Sequence, residues 1–202
     1  ILATERGISE YEKSTLAKQF VLFDFRHHLY APLVCVKKNN LKIQVSPVQL
    51  NEDEKTFVDL LDCYMKNHDA EWKDKSLFLL RNKSKVGMGF FEAGNFYPDY
   101  IFWIDTDDKQ YISFIDPKGL MHIMPDDPKI KFYEKIKDLE VRLAPSAGDK
   151  QIVLNSFIMS STRGANLREW WGMKKPSEHE AMNVYTLDDA KCIEKMIQKI
   201  FQ

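Results

Sequence analysis

No run of about 20 apolar residues occurs in this chain and no signal peptide is recognisable, so nothing in the sequence reads as a membrane-spanning or exported segment. Cysteine is scarce. Cys35, Cys63 and Cys192 stand far apart with no Cys-x-x-Cys pair, which argues against a disulfide framework or a zinc ribbon and points to a reducing, cytoplasmic compartment. His27, His28, His68, His122 and His179 show no metal-ligand spacing and read as structural or solvent-facing, with His122 set apart by its place just beyond a lysine-ended strand. Charge of one sign is also lacking: the net charge is −1, without the broad basic field of a stand-alone DNA binder. No G-x-x-x-x-G-K-[ST] loop is present, so any nucleotide-driven motor lies outside these residues. Repeats and low-complexity tracts are absent, and the first residue is Ile1 rather than methionine, as expected of a segment excised from a longer polypeptide or of a processed chain.

What is there is ordinary in bulk. The 202 residues, 44% hydrophobic and 29% charged, suffice for one soluble domain with decorations or one domain plus a small lobe. The informative part is local. Residues 97–104 and 110–115 are aromatic and β-branched runs, and the polar segment 105–109 between them reads as a turn. A turn centred between Asp107 and Asp108 places Asp99 opposite Asp116 and Tyr97 opposite Lys118. Because strand side chains alternate with period 2, Asp99, Asp116 and Lys118 then share one face, provided no bulge intervenes.

Opposed residues on a hairpin have Cβ atoms about 5 Å apart, and two carboxylates there repel by about 3 kcal/mol at an effective dielectric of 20. A bound divalent cation would offset that repulsion, and hard oxygen ligands suit Mg²⁺ or Mn²⁺ better than zinc. In such a site the aspartates hold the metal and Lys118 orients a water or stabilises developing negative charge. The tripeptide alone says little, since an acid followed two residues later by lysine recurs at Asp53/Lys55, Glu71/Lys73, Asp107/Lys109, Asp127/Lys129 and Asp189/Lys191. Asp116/Lys118 differs in ending an apolar strand, where charges are normally excluded, and Pro117 fits a ladder that stops there. The alternative is that Asp99 and Asp116 merely cap turns at strand ends.

The element order expected from pattern starts with a helix over 9–20, strands within 20–25 and 32–36, and a strand over 41–45. Residues 1–49 are read as a separate N-terminal element and 50–202 as the main domain. A helix beginning at Asn51 places Phe57, Val58, Leu61, Tyr64 and Met65 on one face. Glu54 has two readings: the partner of Asn51 in a capping box, or a helix carboxylate reaching the metal, with Glu52 as the fallback. Strands follow over 76–80 and 87–91, with a basic excursion over 81–85 that is either a solvated turn or a phosphate contact. After the hairpin come a helix over 128–143, a strand over 151–159, an irregular excursion over 160–176 and a closing helix over 187–201. Within the excursion, Arg163, Arg168, Trp170 and Trp171 suit base stacking, although packed tryptophans are the commoner explanation. This order describes an α/β/α sandwich around a central mixed sheet.

The run over 92–99, EAGNFYPD, together with Phe114-Ile115-Asp116-Pro117-Lys118-Gly119-Leu120, resembles the PD-(D/E)xK nuclease superfamily. More closely it is similar to the C-terminal nuclease region of DEAD/DEAH-type helicases related to type III restriction subunits. The runs over 28–33, HLYAPL, and 154–157, LNSF, add to the likeness, which spans most of residues 27–160. The resemblance implies a restriction-endonuclease-like fold and Mg²⁺-dependent hydrolysis of DNA, with Mn²⁺ as substitute. It also implies a helicase motor in the same polypeptide and a role in restriction or anti-phage defence. It makes Asp99 and Asp116 metal ligands, Lys118 the catalytic lysine, Glu54 the helix acid and Glu92 a second-tier candidate. A non-catalytic nucleic-acid-binding or motor-regulating module on the same scaffold is the alternative.

Overall fold

Asn51 starts helix α1 (Glu52–Asn67) in the computed structural model, which describes residues 20–22, 34–36, 50–83, 85–90, 93–144 and 150–202. Its side chain accepts the Glu54 N–H at 2.8 Å, and Glu54 Oε2 accepts the Asn51 N–H at 2.8 Å, so the capping box forms. A cap of this kind contributes about 1 kcal/mol, and Glu52, Asp53 and Glu54 in the first turn complement the helix dipole. Before α1, strands β1 (Phe20–Leu22) and β2 (Val34–Val36) pair antiparallel as a two-stranded sheet. The expected helix over 9–20, apart from Phe20 at the start of β1, and the strand over 41–45 lie outside the described residues, as does Glu92.

The main sheet has five strands in the order β3 (Ser76–Arg81), β4 (Tyr100–Asp105), β5 (Lys109–Lys118), β6 (Gln151–Ser160) and β7 (Val184–Thr186). The first three run antiparallel and the last two join in parallel, which makes an open mixed sheet in an α/β fold. Parallel pairing requires crossovers, supplied by α2 (Phe132–Leu143) between β5 and β6 and by α3 (Gly164–Trp171) and α4 (Pro176–Glu180) before β7. Helix α5 (Cys192–Ile200) closes the chain.

Alternation along the strands separates two cores. On one face Tyr100, Phe102, Ile115, Phe157 and Met159 pack with Phe57, Val58 and Leu61 of α1 and with Met196, Ile197 and Ile200 of α5. On the other, Ile101, Phe114, Leu154 and Ile158 pack with Phe132 and Ile136 of α2 and Leu167 of α3. Each fully buried phenylalanine contributes about 1.5–3 kcal/mol of apolar transfer. The hairpin register is the expected one, with Tyr100 opposite Ile115 and Asp105 opposite Gln110 and no bulge between. Lys150 secures the turn from outside, donating to Asp105 Oδ1 at 2.9 Å and to the Thr106 carbonyl at 2.8 Å.

Several boundaries differ from the sequence pattern, each for an identifiable reason. No strand forms over 87–90; Asn82 Oδ1 accepts the Met88 N–H at 2.9 Å and Asn82 Nδ2 donates to the Met88 carbonyl at 2.7 Å, taking the groups a ladder would use. A lone bridge joins Phe90 to Phe96. Residues 128–131 form turns ahead of α2, where Asp127 Oδ1 accepts the Lys129 N–H at 2.8 Å. The stretch expected to be irregular contains all of α3 and the first residue of α4, Pro176. Helix α3 has no local N-cap, and its first N–H, on Gly164, is accepted by Asp188 Oδ1 at 3.1 Å from across the chain. Gly172, at φ 68°, ends it in the left-handed conformation that glycine tolerates. The closing helix starts late because 184–186 pairs with β6 and Asp189 Oδ1 accepts the Lys191 N–H at 2.9 Å in the intervening turn.

Candidate active site

Three chain segments meet at the carboxyl end of β5, the position at which open α/β sheets commonly take their ligands. Asp116 and Lys118 belong to β5 itself, and by alternation they lie on the face of Phe114 and α2. Asp99 immediately precedes β4, where its carbonyl accepts the Asn82 N–H at 2.7 Å, one step beyond the Arg81/Tyr100 pair. Asn82 Nδ2 also donates to the Pro98 carbonyl at 2.8 Å, so a single asparagine pins both residues of the Pro98-Asp99 step. Lys118 Nζ pairs with Asp116 Oδ2 and lies 5.4 Å from the centroid of the Phe96 ring.

The Asp99 and Asp116 carboxyl groups lie side by side, close enough to act on each other electrostatically. Asp116 is 6% exposed and largely withdrawn from water, while Asp99 is half-buried. Burial, then the adjacent Asp116 carboxylate, then Glu54, push the Asp99 carboxyl up to about 8, against a smaller opposing pull from Lys118. At neutral pH the Asp99 carboxyl therefore holds its proton. Hard carboxylate oxygens that hold a proton against their ordinary affinity fit a divalent cation, which can take that proton's place.

A pH dependence of stability follows. The unfolded Asp99 carboxyl titrates near 4 and the folded one near 8, so between these values the native state holds a proton the unfolded chain has released. Stability from this group is thus lost as pH rises from about 4 to about 8, the reverse of a salt-bridged aspartate. Thermal melts in EDTA from pH 5 to 9 are expected to show a Tm decline in the native chain beyond that of Asp99→Asn, and Mg²⁺ is expected to remove the difference. A native Tm that rises relative to Asp99→Asn through this window would contradict the pairing.

Glu54 sits differently. It is 6% exposed on α1, which packs on the opposite face, and its Oε2 is taken by the Asn51 N–H and by Arg81 Nη2 at 2.9 Å. Its charge still reaches Asp99 and also Tyr100, whose pKa is raised first by burial and then by Glu54. The Tyr100 hydroxyl is buried without a hydrogen-bond partner among the described residues. No group of three His, Cys, Asp or Glu side chains is close enough to hold a metal among the described residues. The centre is an aspartate pair with a lysine, and Glu54 stands behind it.

Sequence pattern does not mark Tyr100 as part of the site, and it places Arg81 and Asn82 only within the basic excursion over 81–85. The available signal was position: all three flank the strand ends at which Asp99 is held. Phe96 belongs to the run over 92–99, but its place under Lys118 has no signal in the sequence. No helix among the described residues is long and apolar enough to cross a membrane, and Cys63 and Cys192 are free thiols. Comparison of the chain with family models, curated proteins and solved structures found no match.

Proposed function

We propose that this chain is a metal-dependent DNA endonuclease domain with its centre at Asp99, Asp116 and Lys118. The observation that carries the reading is the juxtaposition of the Asp99 and Asp116 carboxyl groups, Asp116 buried, with the Lys118 ammonium paired to Asp116 on the same strand face. A pure binding surface has no use for two opposed carboxylates beside a polyanion. Asp99 and Asp116 would hold a divalent cation, Mg²⁺ with Mn²⁺ as substitute, which when bound supplies Lewis-acid polarisation of the phosphoryl oxygen and an acidified water.

The chain's own groups do the rest. Lys118 places its ammonium where it can donate to a phosphoryl oxygen or hold the attacking water, stabilising negative charge as it develops. The Phe96 ring under Lys118 limits where that ammonium can point. Asn82 holds the backbone of Pro98-Asp99, so the carboxylate is set before substrate arrives.

A net charge of −1 gives little long-range attraction to DNA, which fits this reading if a helicase motor elsewhere in the same polypeptide supplies much of the DNA affinity. With the restriction-endonuclease-like scaffold implied by the resemblance, the proposed role is restriction or anti-phage defence in the cytoplasm. Incubating supercoiled plasmid with the chain in Mg²⁺, with EDTA alongside, tests the activity. Nicked or linear product that EDTA removes is expected; plasmid left intact at micromolar protein overturns the assignment.

A further inference from the structure

We propose that the cavity beside the end of β5 is a stacking subsite for one unpaired base of single-stranded DNA, adjoining the phosphate presented to Lys118. It rests on the nuclease reading of the neighbouring site and specifies the substrate that site takes.

The cavity, about 330 Å³, is lined by Leu120, His122, Asn166, Leu167, Glu169 and Trp170. That volume is at the lower end of ligand pockets. Its wall is tied to the catalytic strand: the Ser161 N–H donates to the Lys118 carbonyl at 3.1 Å, and the Leu120 N–H donates to Thr162 Oγ1 at 2.8 Å. Leu120 lies two residues beyond Lys118, a reach of about 7 Å of extended chain, which suits a base attached close to the phosphate Lys118 meets.

The two tryptophans of the pair have different fates. Trp171 is packed and donates Nε1 to the Ile123 carbonyl at 2.8 Å. Trp170 is 50% exposed and meets His122 edge to face, with ring centroids 5.5 Å apart at 89°. His122 holds φ 69°, a backbone conformation that costs a non-glycine residue about 1 kcal/mol or more and keeps its ring at the cavity mouth. Leu120 and Leu167, both fully buried, form an apolar floor, while Asn166 and Glu169 offer an amide and a carboxylate to the edge of a base.

Aromatic walls, an apolar floor and a polar rim take a planar base removed from its stack; a paired base inside a duplex cannot enter. The near-neutral chain favours the same conclusion, because stacking supplies affinity that a weak phosphate field does not.

Fluorescence anisotropy in EDTA tests the subsite without cleavage. The probes are a labelled twelve-nucleotide oligothymidylate and the same strand annealed to its complement, titrated with the 202-residue chain and its variants. The single strand is expected to bind more tightly than the duplex. Trp170→Ala is expected to weaken single-strand binding about tenfold, and Trp170→Phe to recover most of it. Equal or tighter duplex binding, no binding of the single strand, or native affinity in a folded Trp170→Ala would each overturn the proposal. A chain that stacks the single strand in EDTA yet never cleaves DNA in Mg²⁺ upholds the subsite and overturns the catalytic reading, which separates the two failures.

Discussion

Lys118→Ala is expected to slow DNA cleavage by a factor of about 10²–10⁴ while leaving the chain folded, the range associated with losing one positioned charge or proton-transfer group in a reaction. The argument is geometric. Lys118 pairs with Asp116 and keeps its side chain partly exposed, so its ammonium faces both the carboxylates and an incoming phosphate. Phe96 beneath it removes rotamers that would carry the charge away. Loss of the amine does not remove a carboxylate, so divalent-cation affinity is expected to hold or to tighten as a neighbouring positive charge disappears. Lys118→Arg restores the charge but not the compact point donor, and is expected to recover only part of the rate. Single-turnover cleavage of end-labelled DNA at saturating Mg²⁺, with circular dichroism to verify the fold, reads this directly. A folded Lys118→Ala chain within about threefold of the native rate would remove the lysine from the chemistry.

Arg81→Ala is expected to produce the largest loss of stability, about 3–5 kcal/mol, because it strands the buried Glu54 carboxylate. The Arg81 side chain is 12% exposed and that of Glu54 8%, so neither reaches water easily. For a chain of this size the loss corresponds to a fall in Tm of about 10 °C or more. Replacing both partners, Arg81→Met with Glu54→Gln, is expected to cost much less, since no unpaired charge remains and glutamine can still serve the Asn51 cap. Thermal melts of the single and double variants check this, and a double variant no more stable than Arg81→Ala would contradict it. Glu54→Gln alone, assayed for cleavage, is expected to lose less than tenfold, as suits a carboxylate already engaged by Asn51 and Arg81. A hundredfold loss in a folded chain would place Glu54 among the groups that act on substrate.

The parts of the fold readable from sequence are those governed by local chemistry. The hairpin register follows from two apolar runs around a single polar turn, and the absence of a bulge let that register carry through to Asp116. Helix α1 was announced by Asn51, Glu54 and the spacing of Phe57, Val58 and Leu61. What escaped depends on distant partners. Asp188 caps α3 across 24 residues, so the helix had no start signal of its own. Asn82 looked like part of a basic loop, yet its side chain reaches 16 residues ahead to Pro98 and fixes Asp99. Trp170 and Trp171 are indistinguishable in composition; helical geometry turns one to the carbonyl of Ile123 and the other to solvent. Glu54 satisfied both of its readings in sequence, and only the two-core packing shows that α1 covers the face opposite Asp116.

The central claim is that the Asp99/Asp116 pair is the metal centre of a nuclease, and the most direct measurement is plasmid nicking by the native chain and by Asp116→Ala in the same Mg²⁺ buffer. Nicking by the native chain that disappears in the variant and in EDTA is the predicted result. Nicking that survives Asp116→Ala would contradict the account.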